Sequence, residues 1–148
     1  MSDIQLTPHF KLSEFENSST ARTRGINNKV PEHFIPSLRT LCTEVLEPLR
    51  AIVKEPIIIS SGYRCPQLNA AVGGSKTSQH MKGEAADIYL DDMKKLREWF
   101  SWLKERTDFD QLILERASKT SNHWWIHVSC KPDSSLNRHQ VISYLLKS

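Results

Sequence analysis

Between Pro31 and about Val53 the apolar residues Phe34, Leu38, Leu41, Val45, Leu49 and Ile52 recur at steps of three or four. That spacing is the stripe of an amphipathic helix. Pro31 suits a first helical turn, whereas Pro48 falls inside the pattern and removes an interior hydrogen bond, so the helix is expected to kink or divide there. Pro56 to Ser61 is a β-branched run closed by Gly62 and reads as a buried strand. Pro66 to Val72 predicts a short helix ended by Gly73-Gly74. The polar stretch Ser75 to Gly83 behind it reads as a surface loop of the kind that carries function. Ala85 to Leu90 predicts a strand, and Asp91-Asp92 cap a helix reaching about Arg106 with Met93, Leu96, Phe100 and Leu103 on one face. Phe109 to Glu115 and His123 to Ser129 predict a hairpin around the turn-rich Arg116 to Asn122. Gln140 to Leu146 is apolar but too short for its period to separate strand from helix. The first thirty residues read as an arm held by Leu12, Phe15 and Ile26, with one short helix. Elements in this order predict an α+β domain with a mainly antiparallel sheet flanked by helices.

Composition narrows the class. A chain of 148 residues fits one domain, 1–148, and 39% hydrophobic with 25% charged residues is the balance of a soluble globular protein. No apolar run approaches the roughly 20 residues of a membrane span. Twenty basic against seventeen acidic residues give a net charge of +3 without a basic run, which makes nucleic acid a weak candidate partner. The start lacks the features of a signal peptide, so the expected location of the chain as written is cytoplasmic. Cys42, Cys65 and Cys130 form neither a disulfide framework nor a cysteine zinc site and read as buried or incidental thiols.

Two places carry chemistry. In Ser78 to Asp87 a loop histidine, His80, is followed seven residues later by Asp87, inside an otherwise apolar strand. A carboxylate there needs a cation, an arginine or a metal. In His123-Trp124-Trp125-Ile126-His127-Val128, strand alternation places His123, Trp125 and His127 on one face and Trp124, Ile126 and Val128 on the other. The second set reads as core and the first as the wall of a pocket. Together His80, Asp87 and His127 supply two imidazoles and a carboxylate, a set that suits a catalytic zinc with one position open to water. The competing reading pairs His80 with Asp87 as a buried salt bridge.

Ser78-x-His80-x-x-Gly83-x-Ala85-x-Asp87, with Trp125-x-His127-Val128 near the C-terminus, resembles the zinc D-Ala-D-Ala carboxypeptidases and related murein endopeptidases. Their superfamily includes vancomycin-resistance dipeptidases, phage endolysins and the hedgehog fold. Ser60-Ser61-Gly62-Tyr63-Arg64 and Leu12-Ser13-Glu14-Phe15 resemble segments of the small bacterial and phage members, so the likeness spans roughly Phe10 to Ser129. It implies a hedgehog/DD-peptidase type of fold, one zinc held by His80, Asp87 and His127, and hydrolysis of peptidoglycan stem peptides, terminal or internal. It also puts Arg64 near the substrate, where its planar fork can pair with a carboxylate. Ser78 either bonds substrate or braces the loop presenting His80. Gly83 supplies a backbone angle other residues avoid.

The chain departs from the pattern where many members carry an acid three residues before the last histidine ligand, because that position is Trp124. The nearest acid upstream in the hairpin is Glu115, in a Gln-Leu-Ile-x-Glu strand similar to that of small members. It is the expected general base. A loop of seven residues sets Glu115 opposite His123 and away from His127. His123 is the fallback, polarising the carbonyl or holding the oxyanion, and Glu84 is a third acid that should face away from Asp87. A zinc-containing cell-wall-binding or structural module without turnover is the alternative. The substrate lies outside the membrane, which a phage or prophage lysin, or a lost leader, would reconcile with the N-terminus. The protein is expected to act as a monomer.

Overall fold

The computed structural model describes residues 3–146, with side chains to residue 143. The chain enters through a small hairpin, β1 (Gln5–Thr7) and β2 (Phe10–Lys11), then α1 (Leu12–Glu16) and α2 (Ser19–Arg24). The N-terminal arm therefore has two short helices and a hairpin where the sequence predicted one helix. Ser18 caps α2 by accepting from the Ala21 amide, and Gly25 ends it with φ +65°.

The long amphipathic stripe divides as Pro48 predicts. Helix α3 (Ile35–Leu41) runs into a π-helical turn at Cys42–Leu46 and continues as α4 (Glu47–Val53). Pro48 stands in the first turn of α4, and the Glu47 amide reaches back five residues to the Cys42 carbonyl. The widened turn takes up the missing donor and the bulk of the proline ring. Pro36, not Pro31, occupies the first turn of α3, and Pro31 leads a 3-10 turn at Glu32–Phe34.

Strand β3 (Ile58–Ser61), helix α5 (Pro66–Ala71), a 3-10 turn at Gln79–Lys82, strand β4 (Ala85–Tyr89) and helix α6 (Met93–Arg106) follow. Asp92 caps α6 through the Lys95 amide at 3.1 Å. The buried stripe of α6 is Leu96, Trp99 and Leu103; Phe100 is only partly buried. Strands β5 (Gln111–Arg116), β6 (Trp124–Ser129) and β7 (Gln140–Leu146) complete a five-stranded sheet in the order β3-β4-β6-β5-β7. Pairing is antiparallel except between β5 and β7, so the segment whose period was undecided is a parallel edge strand.

Alternation then divides the central strands between two faces. Ala86, Ile88, Leu112, Leu114, Ile126 and Val128 turn into one apolar cluster with Leu38, Leu41, Leu49, Leu96 and Leu103. The opposite face carries Asp87, His127 and Glu115. Among the described residues no helix is long and apolar enough to cross a membrane.

Candidate metal centre and its cleft

Asp87 on β4 pairs directly with His127 on β6, and Ile113 on β5 pairs with His127 from the other side. Directly opposed residues share a face, so the register alone brings Asp87 and His127 together. His80 arrives from the 3-10 turn. Its backbone amide donates to Ser78 Oγ at 3.2 Å, and Gly83 closes the turn with φ +69°. Ser78 thus braces the loop and also lines the cleft.

The orientation of His80 comes from a residue whose part sequence reasoning missed. His80 Nδ1 lies 2.7 Å from the Gly62 carbonyl, which can only accept, so Nδ1 carries the proton and Nε2 presents its lone pair. A Cβ on Gly62 would sit 2.6 Å from Phe15 Cα, so only glycine lets α1 pack against this turn. The signal was the Gly62 within Ser60 to Arg64. Asn28 adds a second unforeseen clamp, donating to the Tyr63 carbonyl and accepting from the Cys65 amide.

His80 Nε2 is 3.2 Å and His127 Nδ1 3.0 Å from the same Asp87 oxygen. One ligand atom from each of the three residues falls within 4.8 Å of the others. A tetrahedral zinc site with bonds of about 2.0 Å has ligand atoms roughly 3.3 Å apart, so the spacing fits the ion. Burial pushes the His80 imidazole below its ordinary value, against the pull of Asp87. Burial also pushes the Asp87 carboxyl up, but His80 and His127 outweigh it and hold it well below the usual carboxylate range. A neutral imidazole and an ionised carboxylate are the states that ligation requires. The His80–Asp87 contact is present, as the non-metal reading expects, but His127 on the same oxygen makes a three-donor cluster of it.

Arg64 is 8% exposed and largely engaged by the protein. Its Nε donates to Ser61 Oγ, Nη1 to Asn69 Oδ1, and Nη2 lies 3.6 Å from Asp87 Oδ2.

The hairpin register differs from the sequence expectation. Glu115 pairs with Trp125, not His123: β5 runs one residue into the predicted turn so that Arg116 pairs with Trp124, and the Ala117 amide meets the His123 carbonyl beyond them. Glu115 is therefore the diagonal neighbour of His127 on the same face, within reach of a long side chain. It is 5% exposed and lines the same cavity, of about 370 Å³, as the three-residue cluster. His123 is not brought to the cluster. It precedes β6, four residues or about 13 Å of extended chain from His127, where it is exposed and stacks on Tyr89 with centroids 5.1 Å apart. Trp124, at the family's usual acid position, packs against the core and under Arg116. Glu84 accepts from Gln79 Nε2 at the edge of the loop, outside the cavity lining.

A second cavity, lined among others by Ser18, Ser61, Tyr63 and His123, shares Arg64, Asp87 and Trp125 with the first. The cleft thus continues past the cluster on both sides. Cys42 and Cys130 are fully buried, and burial raises their thiols to about 12 and about 11, so neither is a ligand or nucleophile.

No curated protein matches the chain. The sequence model of the family described as Peptidase M15 matches residues 8–129, which takes in the loop of His80, the strand of Asp87 and the strand of His127. With four-fifths of its length inside that match and a buried His80–Asp87–His127 group able to bind one metal ion, the chain belongs to the Peptidase M15 family of zinc-dependent peptidases.

Proposed function

We propose that residues 1–148 form a single zinc peptidase domain, acting as a monomer at the cell wall, that hydrolyses peptide bonds within peptidoglycan stem peptides. The observation carrying this reading is the buried Glu115 carboxyl, diagonal to His127 in the same cavity as the three donors. His80, Asp87 and His127 would hold the zinc, which when bound polarises a carbonyl and acidifies water. Glu115 takes the proton of the attacking water and returns it to the leaving amine. The Gly62 carbonyl fixes His80 in the tautomer that ligates, and Ser78 holds the loop in place.

Two features favour an internal bond over a C-terminal one. The cleft is open on both sides of the cluster. Arg64, the expected anchor for a terminal carboxylate, has Nε, Nη1 and Nη2 each directed at a protein partner. Its role in this reading is to position Asp87 and Asn69 and to add positive field beside the reacting carbonyl. His123 contacts substrate in the adjoining cavity and is too far from His127 to hold the oxyanion. The position of Glu115 also argues against the alternative of a binding module, which drew its support from the missing acid at Trp124. Action on the cell wall suits a phage or prophage lysin.

The test is incubation of the zinc-loaded protein with purified peptidoglycan, followed by mass spectrometry of the released products. Chelator-sensitive appearance of new amino termini within the stem peptides is the expected result. Release of free terminal D-alanine alone would make it a carboxypeptidase, and zinc binding without any new amino groups would contradict the enzymatic reading.

A further inference from the structure

Arg138 lies nine residues beyond the family match, yet it lines the cavity that holds the metal cluster. Its guanidinium is held by Asp110, which is 0% exposed: Nε is 3.0 Å from Oδ1 and Nη2 is 2.8 Å from Oδ2. The Arg138 backbone amide adds a third bond to Oδ1 at 2.8 Å. Asp110 is itself fixed, its amide donating to the Ser129 carbonyl and its carbonyl accepting from the Gln140 amide. A buried carboxylate thus presents a side chain that is 51% exposed, and Nη1 makes no hydrogen bond among the described residues.

Its place along the cleft follows from the register. On β5, Ile113 stands opposite His127, Glu115 lies two residues to one side and Gln111 two residues to the other. Arg138 leads into β7 at the Gln111 end, where Gln111 pairs with Gln140. The arginine and the proposed base therefore flank the cluster on opposite sides. Of the charged groups lining this cavity, Asp87 belongs to the cluster, Arg64 is engaged within the protein and Glu115 serves the proposed chemistry. Arg138 remains as a preorganised cation facing the cleft.

Resting on the peptidase reading above, we infer that Arg138 is a specificity-determining residue that binds a carboxylate of the peptide substrate on the Gln111 side of the scissile bond. The group recognised is the free carboxylate of an acidic residue, whichever of its two carboxyls the peptide bond leaves open. A fixed fork with an open edge recognises a carboxylate over its amide, because the amide brings one donor where the fork needs an acceptor.

The experiment uses two synthetic stem-type peptides that are identical except for a carboxylate or a carboxamide at one acidic residue. Their affinities for the zinc-loaded Glu115→Gln protein are measured by calorimetry, and cleavage by the wild-type protein is followed in parallel. About tenfold or greater preference for the carboxylate is expected, collapsing to about onefold when Arg138→Gln or Gln111→Glu is added. Gln111→Glu leaves the Arg138–Asp110 lock in place and reads the site if Arg138→Gln does not fold. Equal affinity for the two peptides, or a preference that survives in the folded variants, would overturn the inference. Absence of cleavage of either peptide would overturn the peptidase reading instead, with the affinity ratio still deciding the role of Arg138.

Discussion

The two faces of the β4–β6–β5 layer are built from alternate residues of the same strands, yet they depend on different physics. On one, Ile88, Leu112, Ile126 and Val128 are wholly buried in the apolar cluster, where each methylene removed from water adds stability. On the other, Asp87, His127 and Glu115 are almost as deeply buried, but burial there costs free energy unless each group finds a partner. The apolar face can tolerate exchange among side chains of similar volume. On the polar side an exchange breaks specific contacts, since the donors are fixed by named atoms: Asp87 by two imidazoles, His80 by the Gly62 carbonyl. Stability resides on one face of a strand and function on the other, one residue apart.

That contrast can be broken most sharply at Glu115. Glu115→Gln keeps volume and removes the proton acceptor, so hydrolysis should fall by about 100- to 10,000-fold while bound zinc stays the same. Steady-state kinetics beside metal analysis check it. On the other face, Ile126→Ala empties a fully buried site and should cost about 2–5 kcal/mol in unfolding free energy. Its activity per folded molecule should stay near that of the parent, as a denaturant titration paired with a rate measurement would show. A parent-like stability for Ile126→Ala would mean that the core face is looser than the packing indicates.

A smaller, pH-dependent effect sharpens the comparison at the rim of the cleft. Burial pushes the Asp110 carboxyl up, but the Arg138 side chain and amide outweigh it and hold it below the usual carboxylate range. A carboxyl depressed in the folded state contributes stability above its unfolded value, about 3.9, and loses it as pH falls through the folded value. The difference in melting temperature between wild type and Arg138→Gln should therefore be larger at about pH 7 than at about pH 3. A difference that grows in acid would have the wrong sign for this pairing.

Much of the site was legible because strand alternation and a short loop motif are local. His80, Asp87 and His127 came from spacing, and the two faces of His123 to Val128 followed from parity. The Pro48 break was legible for the same reason, since a proline acts on its own turn. The hairpin register was not, because the turn-rich segment between Glu115 and His123 left open which residues close the loop, and a shift of two places moves Glu115 from His123 to Trp125. Gly62, Asn28 and Arg138 act on partners far away in sequence, at Phe15 and His80, at Tyr63, and at Asp110. No periodicity carries such pairings. The parallel edge strand β7 escaped for a third reason, as a seven-residue run with five apolar positions satisfies a strand and a short helix equally.

The central claim is that His80, Asp87 and His127 hold one zinc ion. The most direct test is metal analysis of the purified protein after zinc loading and desalting, with His80→Ala treated in the same way. The account predicts one zinc per chain in the wild type and loss of that zinc in a His80→Ala protein that remains folded. A wild-type protein without bound zinc, or equal zinc in both, would contradict it.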